Sequence, residues 1–574
     1  MRPIRAAWIV LVALWGALAA HVATGQFSFT EEASVRGVNE VVLYGTTEEA
    51  FGVGVAFADL DRDGDPDLIT LGSLDGWIGL YENDGSGTFT DHGPSSGVPP
   101  ITKPSGVMPG DYDGDGDLDL YVTLSVGNNM LLRNDGGFLF TDVAADMGVD
   151  DGGAGMGASW ADYDLDGDLD LYVANRTQEG TSDLPNRLFR NDGFSFTNVA
   201  SLLSVEFASD PTFQPIFFDM EGDGDADLYI SNDKGYVQGV ANRLCRNDGG
   251  VFTNISSGSG ADVGYNSMGV AVGDIDDNGL LDLYPTNTPE GNALLVQGPT
   301  GVFADVSAAA GVESFRTGWG ALLLDLNNDT FDDLFVCNFD GPNRLYAHNG
   351  TWPMIDEALP AGVASPGFSY GVAAADVDGD GDLDLAVTES FSPIFLFINQ
   401  ISPSDHWIKF RVVGTGRNRD AVGASVNVLT GTQWRTSQVL LGHSYKSQSD
   451  LTVHYGLGSS NEVDEVRVRW PGGTERSWRR LGSRATWTLL PDEHLGDRDL
   501  DGDLDWSDYQ ALSVCWASMP GGAFGPGCEW FDMDRDSDLD LVDVRIFLTR
   551  SGVLDDLRYD PSSFGSLRGL LTSL

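Results

Sequence analysis

Aspartates at alternate positions in short glycine-bearing loops are the residues of this chain whose spacing could do chemistry. Residues 111–119 read DYDGDGDLD and set carboxylates at loop positions 1, 3, 5 and 9, namely Asp111, Asp113, Asp115 and Asp119. Gly116 at position 6 permits a sharp turn, and the next residue can offer its carbonyl oxygen. A donor set made only of oxygen suits a hard cation that takes about six to eight of them, which is Ca2+. Mg2+ holds to a stricter octahedron with retained waters, and the loop offers no nitrogen or sulfur to zinc.

Seven such loops begin at intervals of 51 to 57 residues. The candidate ligands are Asp59, Asp61, Asp63 and Asp67 in the first, and the four aspartates above in the second. The third supplies Asp162, Asp164, Asp166 and Asp170, and the fourth Asp219, Glu221, Asp223 and Asp227. The fifth supplies Asp274, Asp276, Asn278 and Asp282, the sixth Asp325, Asn327, Asp329 and Asp333, and the seventh Asp376, Asp378, Asp380 and Asp384. The sixth has Thr330 in place of the glycine and is expected to be the weakest or empty. An EF-hand needs an acidic ligand at position 12. Here that position holds Thr70, Val122, Val173, Ile230, Pro285, Val336 and Val387, most of which suit a strand. These read as calcium turns between strands, holding up to seven ions. Their expected role is to neutralise charge and fix loop shape; bridging a metal to a partner is the second reading.

Two further loops near the C-terminus differ at that position. DRDLDGDLDWSD offers Asp497, Asp499, Asp501, Asp505 and Asp508, and DMDRDSDLDLVD offers Asp532, Asp534, Asp536, Asp540 and Asp543. Both end in aspartate and run into helix-compatible segments, YQALSVCW and VRIFLTR. Each is half an EF-hand, repeated after 35 residues, with room for up to two more calcium ions. Ser537 stands where glycine is usual in the second.

The elements that must position the seven loops follow from the repeats around them. An apolar small-residue run enters each loop, an alternating run such as LDLYVTL leaves it, then come NRLFRNDG-like and Phe-led segments such as FTDVAAD. Period-2 alternation bounded by Gly, Asn and Asp reads as short strands. About four strands per fifty-residue unit is the pattern of propeller blades. The seventh unit lacks its Phe-led strand, and FSFTEEAS at 27–34 resembles the missing piece, so the N-terminus is expected to complete the last blade and close the ring. The fold expected is mainly β: a seven-bladed propeller, then a small all-β domain, then a small α-helical calcium-loop module.

Composition bounds the function. The 574 residues carry a net charge of −55, yet 41% are hydrophobic, which is too apolar for a solvated acidic coil. Such a charge disfavours nucleic acid as a partner. Residues 406–490 reverse the sign, with 12 Lys and Arg against 6 Asp and Glu. Docking against the acidic ring is the plainer explanation, and a site for an anionic ligand is the other. MRPIRAAWIVLVALWGALAAHVATGQ has the form of a secretory signal, with a retained N-terminal anchor as the alternative; no later segment is long and apolar enough to span a bilayer. Cys245 and Cys337 lie in strand-like runs and read as buried thiols, whereas export permits a disulfide between Cys515 and Cys528.

The repeats resemble the VCBS/FG-GAP family, related to the calcium-binding blades of the integrin α-chain propeller, over roughly residues 27–400. The basic domain is similar to the ASPIC/UnbV domain through HWIKFRVVGTGRNRDAVGASV, Ser447–Ser449, His454–Gly458 and Val466–Gly473, and the C-terminal loops resemble a type I dockerin. The resulting division is 1–25 signal peptide, 26–403 propeller, 404–491 ASPIC/UnbV-like domain, 496–552 dockerin-like module and 553–574 tail. The resemblance implies a secreted or cell-surface, non-catalytic adhesion or ligand-binding protein. A protein or glycan would bind on the propeller and a cohesin-like partner through residues 496–550, where Trp506-Ser507 and Leu541-Val542 occupy the partner-selecting positions. A calcium-stabilised cap without a partner is the plainer reading of that end. The rival is a dockerin-bearing carbohydrate-active enzyme, a glycoside hydrolase or polysaccharide lyase. For that the sequence offers neither HExxH nor GxSxG, since GHSYK at Gly442–Lys446 lacks the closing glycine, and no cluster of histidines.

Overall fold

Alternating apolar runs bounded by turn residues fold into short antiparallel strands, and those between Phe29 and Asn399 make seven four-stranded sheets. The computed structural model describes residues 27–42, 51–176, 184–233, 235, 239–288, 291–401, 405–498, 504, 506–518, 525–533, 535, 539 and 541–550. The signal-peptide and tail readings lie outside the described residues.

One sheet shows the plan of all. Pro104–Gly110 leads into the acidic loop and Asp119–Leu124 leaves it, with Gly110 opposite Asp119, so the loop closes a hairpin. Met130–Asn134 and Phe140–Asp142 follow as third and fourth strands. Each position-12 residue, from Thr70 to Val387, lies inside a second strand, including Pro285, whose side chain does not itself suit one. The innermost strands Val55–Ala58, Pro104–Gly110, Gly155–Ala161, Thr212–Phe218, Ser267–Gly273, Gly318–Leu324 and Ser369–Ala375 touch in chain order, and the last touches the first.

Phe29–Glu31 pairs antiparallel with Phe395–Asn399, so the N-terminal segment is the outer strand of the last sheet, as its sequence suggested. The fourth strands are shorter than expected. In FTDVAAD only Phe140–Asp142 is extended, because Asp142 Oδ1 accepts the Ala144 N–H (3.1 Å) and turns the chain into the helical turn Ala144–Met147.

Beyond residue 404 a three-stranded sheet (Val453–Gly458, His406–Val412, Thr486–Leu489) packs on a four-stranded one (Gln433–Gln438, Ser425–Thr430, Glu462–Arg469, Glu475–Gly482). Between these strands, residues 439–450 enter the middle of the ring. Gln448, Leu441 and Ser444 form bridges to Ala56, Trp160 and Val270 on three inner strands. Tyr445 is fully buried among Phe213, Trp319 and Tyr370. Gly54 and Gly442 make the fit possible. A Cβ on Gly54 would meet the Lys446 carbonyl, and one on Gly442 the Ala158 carbonyl at 2.1 Å.

The helices Trp506–Ser518 and Leu541–Arg550 follow, and a disulfide ties Cys515 of the first to Cys528 in the connection between them, while Cys245 and Cys337 are buried free thiols. Leu512, Trp530, Phe531, Val544 and Phe547 share one hydrophobic core with Trp478, Trp487 and Leu489 of the β domain. Among the described residues no helix is long and apolar enough to cross a membrane.

Candidate metal centre

In every ring loop the position-1 carboxylate turns back onto the loop's own backbone. It accepts the position-6 N–H: Gly64 to Asp59 (3.1 Å), Gly116 to Asp111 (3.0 Å), Gly167 to Asp162 (3.0 Å), Gly224 to Asp219, Gly279 to Asp274 and Gly381 to Asp376 (2.9 Å each), and Thr330 to Asp325 (2.8 Å). Position 6 needs a positive φ, 103° at Gly116, and Thr330 is held at 91°, where a β-branched side chain is strained.

Position 9 has a second role that the sequence reading missed. Both carboxylate oxygens accept backbone N–H groups, one from loop position 2 and one from the third strand. Asp67 takes Leu60 (2.9 Å) and Asn83 (2.8 Å), and Asp119 takes Tyr112 (3.3 Å) and Asn134 (2.8 Å). The same pair recurs at Asp170, Asp227, Asp282, Asp333 and Asp384.

The third-strand residue that donates to position 9 also stitches neighbouring sheets. The Asn134 amide donates to Leu60 O of the preceding sheet (2.8 Å), Asn191 to Tyr112 O (2.8 Å), Asn247 to Tyr163 O (2.7 Å), Gln297 to Met220 O (3.0 Å) and Asn399 to Leu326 O (2.8 Å). Asn83 donates to Val377 O of the seventh sheet (2.9 Å), which continues the series across the closure. The sixth sheet has His348 at this place, and its Nδ1 is buried without a hydrogen bond. The repeated Asn of the NDG segment was the available signal.

Five loops bring three carboxylates to a common point, with ligand atoms within 4.8 Å of one another. They are Asp59, Asp61 and Asp63; Asp111, Asp113 and Asp115; Asp162, Asp164 and Asp170; Asp274, Asp276 and Asp282; and Asp376, Asp378 and Asp384. Asp59 Oδ1, Asp164 Oδ1, Asp376 Oδ1 and Asp378 Oδ1 are buried with no hydrogen-bond partner. Burial pushes Asp59 up to about 6, Asp111, Asp162 and Asp274 to about 7, Asp67 and Asp282 to about 8, and Asp119 to about 9. Buried oxygens that converge without hydrogen-bond partners fit a divalent cation with oxygen ligands, and at the seventh loop Lys409 on Asp376 and Arg36 on Asp378 supply part of the counter-charge.

The other two loops do not converge in this way. In the fourth, the Glu221 carboxylate approaches Asp227 and lies 3.7 Å from Arg246. In the sixth, Asn327 donates to Asp329 Oδ2 (3.1 Å) while Asp325 is taken up by the N–H groups of Asp329 and Thr330, with Asp333 deep in the strand. Asn278 of the fifth loop donates to Gln297 O (3.0 Å), and Asp166 and Asp380 lie outside their loops' convergent triads.

The β domain covers this face and reaches all seven loops. Asp420 pairs with Arg62 (2.8 and 3.0 Å), Arg417 packs on Gly114 and pairs with Asp168 (3.4 Å), and Gln438 exchanges two hydrogen bonds with the Asp219 backbone. Gln433 donates to Asp277 O (2.9 Å), His454 Nε2 lies 2.8 Å from Asn328 Oδ1, and Lys409 Nζ lies 2.5 Å from Asp376 Oδ2. His454 is held down to about 3 by burial and then by Lys409 and Arg435, so it is neutral there. The positive domain docks on the acidic loops, the plainer of the two explanations of its charge.

In the C-terminal loops, Asp508 Oδ1 accepts the Arg498 N–H and Asp543 Oδ1 the Met533 N–H, both at 2.6 Å, so position 12 folds back on position 2 in each. Asp497 and Asp532 are buried beside them, and Asp532 lies 3.5 Å from Arg476. Asp499, Asp501, Asp505, Asp534, Asp536 and Asp540 lie outside the described residues.

Comparison with known proteins finds two families within the chain. The family described as FG-GAP-like repeat matches residues 59–122, 219–284 and 325–387, and that described as ASPIC and UnbV matches 414–495. Among solved structures, BBS1N in complex with ARL6DN is similar at TM-score 0.38 and 11% identity, covering 64% of this chain and 99% of that one. YCF48 from Cyanidioschyzon merolae is similar at TM-score 0.36 and 11% identity, covering 64% and 98%. Cartilage acidic protein 1 of Homo sapiens is 25% identical over 493 residues, covering 69% of this chain and 72% of that protein; the Mus musculus protein is 25% identical over 465 residues, covering 64% and 70%. The chain therefore carries FG-GAP-like repeats and an ASPIC/UnbV domain, and it is similar to cartilage acidic protein 1.

Proposed function

We propose that the chain is an exported, calcium-binding, non-catalytic adhesion or ligand-binding protein. Its ring is a closed seven-bladed propeller holding up to seven Ca2+, and its dockerin-like end, with up to two more, attaches it to a cohesin-like partner. The carrying observation is the set of five carboxylate triads, three of which hold buried oxygens without a hydrogen-bond partner. The calcium is structural: it lies under the β domain, where it fixes seven loops into one docking surface. The filled axis supports a binding rather than a catalytic reading, because the place where a propeller commonly opens a cleft holds Tyr445 and Lys446. Similarity to cartilage acidic protein 1, named for an extracellular tissue, supports export. A protein or glycan ligand is then taken on the outer surface of the ring.

Elemental analysis of protein dialysed against trace calcium, with melting curves before and after chelation, tests the metal. Five or more ions per chain and a markedly lower melting temperature after chelation are expected, since a ligand bound only to the folded state stabilises it. An unchanged melting temperature would sink the calcium reading. Incubation with a polysaccharide panel separates binding from the carbohydrate-active alternative. Retention without new reducing or unsaturated ends is expected, and cleavage that tracks the purified protein would overturn it.

A further inference from the structure

Away from the acidic loops, a cavity of about 430 Å3 opens beside the first sheet, between the N-terminal segment and the Ser73–Gly79 turn. Its lining includes Glu40, Asp75 and Asp91 with Trp77 and Tyr81, and among the described residues no Lys, Arg or His. Glu40 is only 9% exposed. The Thr70 hydroxyl donates to its Oε2 and the Tyr81 phenol approaches the same carboxylate, yet Oε1 is buried with no hydrogen bond. Gly79 gives Glu40 its place, since a Cβ there would lie 2.5 Å from Glu40 Oε2.

We propose that this pocket binds a primary ammonium group of the kind a lysine side chain carries, with Glu40 Oε1 accepting its N–H and Trp77 flanking its methylene stem. A buried carboxylate oxygen without a donor calls for a cationic N–H group, because charge-assisted hydrogen bonds are the strong ones. An aromatic wall attracts the cation and covers an aliphatic stem. A bare metal ion fits less well. Glu40, Asp75 and Asp91 are not among the carboxylates that converge on one point, and Asp75 and Asp91 already accept Ser73 Oγ (2.8 Å) and Gly93 N (2.9 Å). Burial, with Asp91 and Asp75 adding to it, pushes Glu40 up to about 7, which marks a carboxylate short of positive charge.

The test is a ligand-observed NMR titration of the calcium-loaded full chain with N-acetyl-lysine methylamide. Three arms accompany it: the norleucine analogue, tetramethylammonium and additional Ca2+. Saturable binding of the lysine probe is expected, with neither analogue binding and added Ca2+ failing to displace it. Glu40→Gln should weaken it by about tenfold or more, and Trp77→Ala, on the rim, by a smaller factor with the melting temperature unchanged. No saturable binding, equal binding of the norleucine or tetramethylammonium probe, displacement by Ca2+, or unchanged affinity in both variants would overturn the site.

Discussion

A single aspartate in these loops answers to two demands that pull on its protonation in opposite ways. As a buried group without a counter-ion it is held protonated; as a metal ligand it must ionise. Asp59, Asp111 and Asp282, each a member of a triad, rise to about 6, 7 and 8, far above the usual carboxylate value of about 4. A raised value in the folded state stabilises the fold below the unfolded value and loses that contribution as pH climbs through the folded one. Chelated protein is therefore expected to melt progressively lower between about pH 5 and 9. The calcium-loaded protein, its carboxylates ionised by the metal, should not follow, so the calcium-dependent gain in melting temperature widens with pH. Scanning calorimetry with and without chelator across that range checks both; a constant gain would mean the triads are not the calcium sites. The positions of these aspartates were legible in the sequence because the acidic loops repeat with a fixed internal spacing. That position 9 also holds two backbone N–H groups was not, since the second donor comes from a strand some fifteen residues later whose register only the sheet defines.

At the scale of the element, one device completes the last sheet and another stitches six of the seven sheets to a neighbour, and only the first was readable. The missing fourth strand of the last repeat pointed to the N-terminus, where Phe29 is 7% exposed within the core shared by the last two sheets. Phe29→Ala should cost about 3 kcal/mol and, by loosening the strand that covers Phe395–Asn399, promote self-association. Urea denaturation and size-exclusion chromatography would show both; a monomer of unchanged stability would deny the strand its closing role. The Asn stitch was written in the repeats but its target was not, because a carbonyl one sheet away is invisible to local pattern. Asn134→Ala removes donors to Leu60 O (2.8 Å) and Leu118 O (3.2 Å) and leaves both buried. A loss of about 2 kcal/mol is expected in the same denaturation assay, and a change within error would make the stitch incidental.

The whole molecule behaves as a stack: acidic loops, a positive β domain seated on them, and a helical module seated on that domain. The sequence divided the last two at residues 491 and 496, and composition alone supports such a cut. The packing does not follow it, because Trp530, Phe531 and Phe547 complete the core around Trp487 and Leu489, and Glu529 Oε1 accepts the Thr488 N–H (3.0 Å). Side-chain volume, not motif, decides where a domain ends. Deleting residues 496–550 would therefore uncover the β domain's own core, and a lost pull-down would say nothing about a partner. The truncated chain is expected to melt lower and to aggregate, as exposed apolar faces do. Val514 and Val542, 69% and 46% exposed on the two helices, offer the cleaner variants. The double change Val514→Asp, Val542→Asp should leave the melting temperature within a degree or two of wild type, since neither side chain fills the core. If the module is an attachment device, that variant loses capture by a cohesin-bearing scaffold while staying folded. If it keeps full capture, or if the truncated chain stays monomeric with an unchanged melting curve, the helices are respectively not the docking face or not part of the β domain's core.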